Sequence, residues 1–396
     1  MKKKYLIITF ALLAFAQSIC AQNENDTIVY LLTCNPGTET YSIYGHSALR
    51  VVDNYSGTDM VYNWGVFDFS TPNFAWKFAK GRLDYMLESG TMNDFLRLYV
   101  YEERGVTSQR INLQPENVRK LLELINENLK PENINYRYDF FYDNCATRIR
   151  DILETATDGK IHYSNEIDSK FKTFREMINE YQKPHHWLNF GITLALGLPS
   201  DKKATFRERM FLPIELQKCL SATVINIDGR MIPLLQNPER IINYDMPVAK
   251  SAPVFNPEIT IVLILILLLL FIPFIRKKNI LNSVDIFIFF VFSILAGFML
   301  FFNFFTDHQA TKINLNILWL NPFIIFCLAS LAFNKAGVVW FRIVLYISIL
   351  FLVLYLILPQ NFSIAVIPAC LIMAFRSSAR SEFSWNPFTI NDKNFI

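Results

Sequence analysis

The sequence predicts a mixed α+β exported domain followed by an all-α bundle of five transmembrane helices. Three observations carry this: a secretory signal at the N-terminus, a sharp change in charge content near residue 256, and five apolar stretches beyond it. Of 396 residues, 52% are hydrophobic and 18% charged, below the roughly 25% charged of soluble domains. The first 256 residues hold 59 charged side chains, 29 basic and 30 acidic. The last 140 hold 14, of which 9 are basic and 5 acidic. The formal net charge of +3 therefore adds two unlike objects and points to no partner. A nucleic-acid partner is excluded, since it would call for a strongly basic face.

Residues 1–21 read as a signal peptide. MKKK is a basic start, YLIITFALLAFA an apolar core, and QSICA a run ending in small residues. Cleavage near Cys20 or Ala21 and retention as an anchor are both open. Gln17 and Ile19 fit poorly around a lipid-modified Cys20. Either way the chain from about Gln22 is exported. Three of the six cysteines, Cys34, Cys145 and Cys219, fall in the exported part. An odd number leaves at least one free or paired with another chain, and a Cys34–Cys219 bridge is one possibility. Cys327 and Cys370 lie in apolar runs and read as inert core thiols.

The exported domain, residues 22–256, mixes strand and helix signals. TIVYLLT, SALRVV and MVYNWGVFDF read as strands, with a hairpin turn over 53–58. Residues 73–80 and 92–101 read as helices, and 107–113 alternates like a strand. Pro115–Leu129 places Val118, Leu121, Leu122, Ile125 and Leu129 at helical spacing. Asp143 and Asn144 stand where a cap would open a helix at Cys145, with Ile149, Ile152 and Leu153 on its inner face. From Phe171 the pattern reads as helix and loop. No phosphate-binding glycine loop, CxxC pair or HExxH spacing occurs among the five His, so neither a metal nor another cofactor is expected.

Five apolar stretches follow in 257–380, at about 259–275, 284–305, 315–333, 338–358 and 362–375. A spanning helix needs about 20 such residues, and the last stretch is short. Arg276–Lys278, Lys335, and Arg376 with Arg380 all fall on one side of this arrangement. The positive-inside rule makes that side cytoplasmic, together with the tail at 381–396. The exported domain then lies outside, as the signal requires. The outer side also receives a polar loop with Asp307, His308, Asn314, Asn316 and Trp319. Polar groups at a bilayer face are either used or solvated. Substrate contact and a plain turn anchored by Trp319 are both open.

Two local settings suggest chemistry. His46, in Tyr44–Gly45–His46–Ser47, opens a predicted strand. Cys145, in Asp143–Asn144–Cys145–Ala146, opens a predicted helix. A helix N-terminus favours a thiolate and offers N–H groups to an oxyanion, and an imidazole beside it would activate the thiol. Each residue alone is more often structural.

The order His-on-strand then Cys-on-helix, with Asn before the Cys, resembles the circularly permuted papain-like families, which include NlpC-type hydrolases. More closely, YGHSALRV, YNWGVFDF, YDFFYDNCATRIRD, HHWLNFGITLALGLPSDKKAT and DHQATKINLNILWLNP resemble the Lnb family of Bacteroidetes, lipoprotein N-acyltransferases, over nearly the whole chain. The resemblance implies a permuted papain-like (NlpC-like) α+β periplasmic domain on a five-helix transmembrane bundle in the bacterial inner membrane. It implies Cys145 as nucleophile and His46 as base, with a phospholipid acyl donor and a diacyl lipoprotein acceptor. Papain-like sites carry a third polar residue beside the His strand, and pairing across the 53–59 turn makes that Asn63, with Asp68 second. Tyr44, Asp143 and Asn144 are supporting candidates, the last two as helix cap or oxyanion-hole wall. Asp307, His308, Asn314 and Asn316 are outer-loop substrate candidates, and the 186–198 stretch is either a bilayer-lying segment or a core helix. Cys34 stands where an apolar residue is expected. A cell-wall hydrolase, a phospholipase and a non-enzymatic membrane scaffold are the rival readings.

Overall fold

The computed structural model describes residues 27–163, 172–246, 254–335 and 337–381. The signal at 1–21, with Cys20, and the tail beyond residue 381 lie outside the described residues. The described chain is a sheet-rich N-terminal domain followed by a helical C-terminal region with several apolar helices. It forms two compact units.

The first unit takes its residues from within Met1–Ser70, Asp84–Asp168 and Thr205–Pro247. Its strands are β1 (Thr27–Cys34), β2 (His46–Asp53), β3 (Thr58–Val66), β4 (Asp84–Thr91), β5 (Val106–Arg110), β6 (Asn135–Arg137), β7 (Ile161–His162), β8 (Val224–Ile227), β9 (Arg230–Pro233) and β10 (Glu239–Ile242). Seven form one antiparallel sheet in the order β10-β5-β1-β2-β3-β4-β6, and β7-β8-β9 form a second. The β1–β2 pairing sets Cys34 opposite His46. The Asp53 carboxylate shapes the β2–β3 turn by accepting from the Tyr55 N–H and the Ser56 hydroxyl.

The helix Met92–Tyr101 is opened by Thr91, whose hydroxyl accepts from the Asp94 N–H. Its Met92, Phe95 and Tyr99 pack with Leu32, Cys34, Ala48 and Val61 of the sheet. The helix Cys145–Ala156 packs on β2 and β3 and on the helix Pro115–Asn128. Its Ile149 and Leu153 are fully buried.

Two features depart from the sequence expectation, and a third answers the open Cys34–Cys219 pairing. Strands β4 and β6 carry no strand signal in the sequence: β4 buries only Tyr85 and Leu87, and β6 has three residues. The region beyond Phe171 contributes β8, β9 and β10 as well as helices; four-residue strands are shorter than any periodicity test resolves. No disulfide joins Cys34 and Cys219, which are free and buried. Cys34 sits in the apolar core with Leu32 and Val106, and burial pushes its thiol up to about 12, so it behaves as the apolar residue expected there.

The second unit takes its residues from within Thr71–Leu83, Ser169–Ala204 and Val248–Ile396. Two segments of the charged half thus pack with the apolar helices, so the compact units interleave along the chain where the charge content divides it once. Among the described residues, three helices are long and apolar enough to cross a membrane: Pro257–Phe274, Lys278–Phe304 and Leu315–Ala332. Val338–Leu354 is apolar and shorter. Val366–Arg380 has 15 residues, mostly buried. Arg376 and Arg380, which follow the fifth apolar stretch of the sequence, lie inside that last helix. Their guanidinium groups bond the buried Asp285 carboxylate at 2.6 to 3.0 Å, and this pairing lets the helix run on past Phe375.

The segment 172–204 is organised by one buried cation. Arg175 donates to both oxygens of Asp201 at 2.9 and 3.0 Å, and to the carbonyls of Thr193, Leu196 and Gly197. Both partners are at most 5% exposed. Removing one partner of such a pair strands the other charge. Arg175→Met should therefore destabilise the chain by about 3–5 kcal/mol, read as a lower thermal midpoint in detergent. An unchanged midpoint would show that the pair is not needed for folding.

Candidate active site

The capping residue before Cys145 fixes its position. Asn144 is extended and buried, and its side-chain oxygen accepts from the N–H groups of Ala146 at 2.9 Å and Thr147 at 3.0 Å. The Thr147 hydroxyl accepts from the Asn144 N–H at 2.7 Å, completing a capping box. The Asn144 amide donates to the carbonyls of Phe140 and Phe211. Both ends of this side chain are engaged within the protein, so Asn144 is a cap. The Asp143 carboxylate pairs with Arg148, and its backbone pairs with that of Asp139. Cys145 is thus the first residue of a rigidly opened helix.

Among the described cysteines, all of them free, Cys145 alone is not buried. His46 opens β2 directly after Gly45. Gly45 has φ +81°, and a Cβ there would meet the Cys34 carbonyl oxygen at 2.7 Å, so only glycine fits. His46 Nε2 lies 3.2 Å from the side-chain oxygen of Asn63 on β3. That oxygen only accepts, so Nε2 carries the proton and Nδ1 is left as the basic nitrogen. Tyr44 packs its ring 4.9 Å from that of Phe140.

Two short links tie Cys145 to these strands. The Ser47 N–H, next to His46, is among the peptide groups that favour a charged Cys145 sulfur. Gly65 on β3 has φ +89°, and a Cβ there would stand 3.6 Å from Cys145 Cβ and 3.9 Å from its nitrogen. Gly65 was not among the sequence candidates. The WG pair inside an apolar strand is its only signal, because a glycine there marks a bulge or a close approach. A register shift occurs at this point.

Asp68, the second choice for the third residue, is exposed, and its carboxylate accepts from the N–H and hydroxyl of Ser70 in a local turn.

The protonation state departs from what a helix N-terminus alone suggests. Burial pushes the Cys145 thiol up, against the pull of the N–H groups of Ser47, Ala146 and Cys145. Burial lowers the His46 imidazole to about 4, opposed by its bond to Asn63. At neutral pH the resting pair is therefore an uncharged thiol and an uncharged imidazole. Alkylation of Cys145 by iodoacetamide should be slow at pH 7 and should climb through the alkaline range. A rate that stays level down to pH 5 would show a preformed ion pair instead. Stability follows the same shift. The unfolded chain binds a proton at His46 near 6.5 and the folded chain near 4. Stability from this group is thus present above about 6.5 and lost as pH falls through that window.

The outer-loop candidates lie in the second unit. Asn314 and Asn316 are 1% exposed. Their amides donate to the carbonyl of Leu194, and the Asn314 oxygen accepts from Asn316 and Gln360. Through these bonds they join segments of the fold. Trp319 is likewise buried, with its indole N–H donating to Asn316, so it is a core residue and not an interfacial anchor. Asp307 and His308 are more accessible. Asp307 pairs with Arg82 at 2.7 Å, and His308 Nε2 donates to the Phe78 carbonyl at 3.1 Å. Both fasten the loop to the segment 71–83. The helix His186–Ala195 buries only Thr193 and Leu194 and leaves Trp187 half exposed. Among the described residues, no group of three or more His, Cys, Asp or Glu is placed to hold a metal ion.

The fold and site together define a membrane protein whose sheet-rich N-terminal domain holds one partly exposed cysteine beside the strand that carries a histidine–asparagine pair. The family model for the Lnb N-terminal periplasmic domain matches residues 15–180, and that for the Lnb transmembrane domain matches residues 249–384. The chain belongs to the Lnb family. It is a membrane protein with a periplasmic N-terminal part, and its domains point to lipoprotein maturation. Comparison with curated proteins found no match, and comparison with solved structures found none.

Proposed function

We propose that this protein is a thiol-dependent lipoprotein N-acyltransferase of the inner membrane, with a permuted papain-like periplasmic domain and a five-helix membrane domain. One observation carries the reading. Cys145, the partly exposed cysteine, opens a capped helix packed on the strand that begins with His46, whose Nε2 is held by Asn63.

Transfer takes two steps. Cys145 gives its proton to His46 Nδ1 as its sulfur attacks an ester carbonyl of a phospholipid. Peptide N–H groups at the helix start support the oxyanion. The lysophospholipid leaves with the proton returned by His46, and a thioester remains. The α-amine of a diacylglyceryl-cysteine lipoprotein attacks next, His46 takes its proton, and the thiol is regenerated with an amide formed. A neutral resting pair suits this order, because charge develops only with an ester in place. Both substrates are membrane-embedded, which accounts for fusing a thiol domain to several apolar helices. A soluble cell-wall substrate would need one anchor.

The test is the mass of a lipoprotein N-terminal peptide from cells whose only N-acyltransferase is this chain. Triacylated peptide with the intact protein and diacylated peptide with Cys145→Ala supports the reading. Lysophospholipid release without amine acylation makes the protein a phospholipase.

A further inference from the structure

Tyr136 is the middle residue of β6, paired with Tyr85 of β4. It is 7% exposed, and its hydroxyl has no hydrogen-bond partner among the described residues. A buried hydroxyl without a partner is rare in a folded chain and asks for an explanation. Its position supplies one. The point 3.6 Å from Cys145 Cβ where a Gly65 Cβ would stand is also 3.8 Å from the Tyr136 hydroxyl oxygen. The absence of a side chain at Gly65 therefore leaves that hydroxyl facing the same small space as Cys145. The ring is held in place by Arg148, whose guanidinium carbon lies 3.9 Å from the ring centroid, and Arg148 is itself held by Asp143.

We propose that the Tyr136 hydroxyl donates a hydrogen bond to the oxyanion formed when Cys145 takes up and releases an acyl group; this rests on the reading of Cys145 as acyl carrier. The Sγ–C bond forms as the carbonyl π pair moves onto oxygen, and Tyr136 donates to that oxygen without losing its proton. The pair then returns, the C–O bond to the leaving alkoxide breaks, and His46 delivers the thiol's proton to the alkoxide. Burial raises the Tyr136 phenol above its ordinary range, so it stays protonated and serves as a donor throughout.

The test uses the full chain in detergent micelles and two probes of the same sulfur. A p-nitrophenyl octanoate burst reports acyl-thioester formation, which passes through an oxyanion. Iodoacetamide alkylation is a displacement at a saturated carbon and forms none. Tyr136→Phe keeps the ring and should lower the acylation rate by about 10²-fold while leaving the alkylation rate within twofold. Acylation slowed less than tenfold overturns the proposal. So does a parallel fall in both rates, which would mean that Tyr136 acts on the thiol or on folding. A wild-type chain without a burst that Cys145→Ala removes overturns the underlying reading and the proposal with it.

Discussion

Replacing Cys145 with alanine should lower N-acylation by about 10⁴-fold or more, the loss seen when a covalent nucleophile is removed. No other cysteine described is accessible, since Cys34, Cys219, Cys327 and Cys370 are buried. Their thiols cannot replace the missing one without unfolding. The substitution leaves the fold intact for a local reason. The capping box uses Asn144 and Thr147 with the N–H groups of Ala146, Thr147 and Asn144, and none involves the Cys145 side chain. Alanine also favours a helix more than cysteine does. The protein should accumulate and melt as the wild type while its lipoprotein substrates stay diacylated. Continued triacylation at normal protein levels would contradict this.

His46→Ala is the second large effect, with an expected fall of about 10³-fold in acyl-thioester formation at neutral pH. Because the resting thiol is pushed up and uncharged, little thiolate exists at pH 7 without a base, and the deficit should shrink as pH rises and hydroxide ionises the thiol. The leaving alkoxide still lacks its acid, so recovery should be incomplete. Burst rates from pH 6 to 10 check this. A deficit that is constant with pH would mean that His46 only positions the site.

The elements readable from sequence were those with both a periodic apolar face and a marked end. Thr91 with Asp94, Pro115, and Asn144 with Thr147 announce three helices of the sheet domain. Strands β1 to β3 are long and apolar. By contrast, β4 is half polar, and β6 and β8 to β10 are three or four residues long. Their pairing is decided by neighbouring strands, which sequence does not display. The site divides in the same way. The residue types proposed to act at 46, 63 and 145 are open to view in the sequence. The direction of the thiol shift does not, because the helix terminus and burial act in opposite senses and burial is a property of the packed fold. Tyr136 was invisible for the same reason, being one of several aromatic residues between 136 and 142. Asn314 and Asn316 were hard to read because a polar residue beside an apolar stretch looks alike whether it meets a substrate or bonds a carbonyl within the fold.

The most direct measurement is peptide mass analysis of the full-length chain after incubation with phospholipid vesicles and no lipoprotein acceptor. The expected result is a fatty-acyl adduct on the peptide containing Cys145, removed by neutral hydroxylamine as a thioester is, and cleared on addition of a diacylated lipopeptide. An unmodified Cys145 peptide alongside undiminished triacylation, or an adduct on another residue that survives Cys145→Ala, would contradict it.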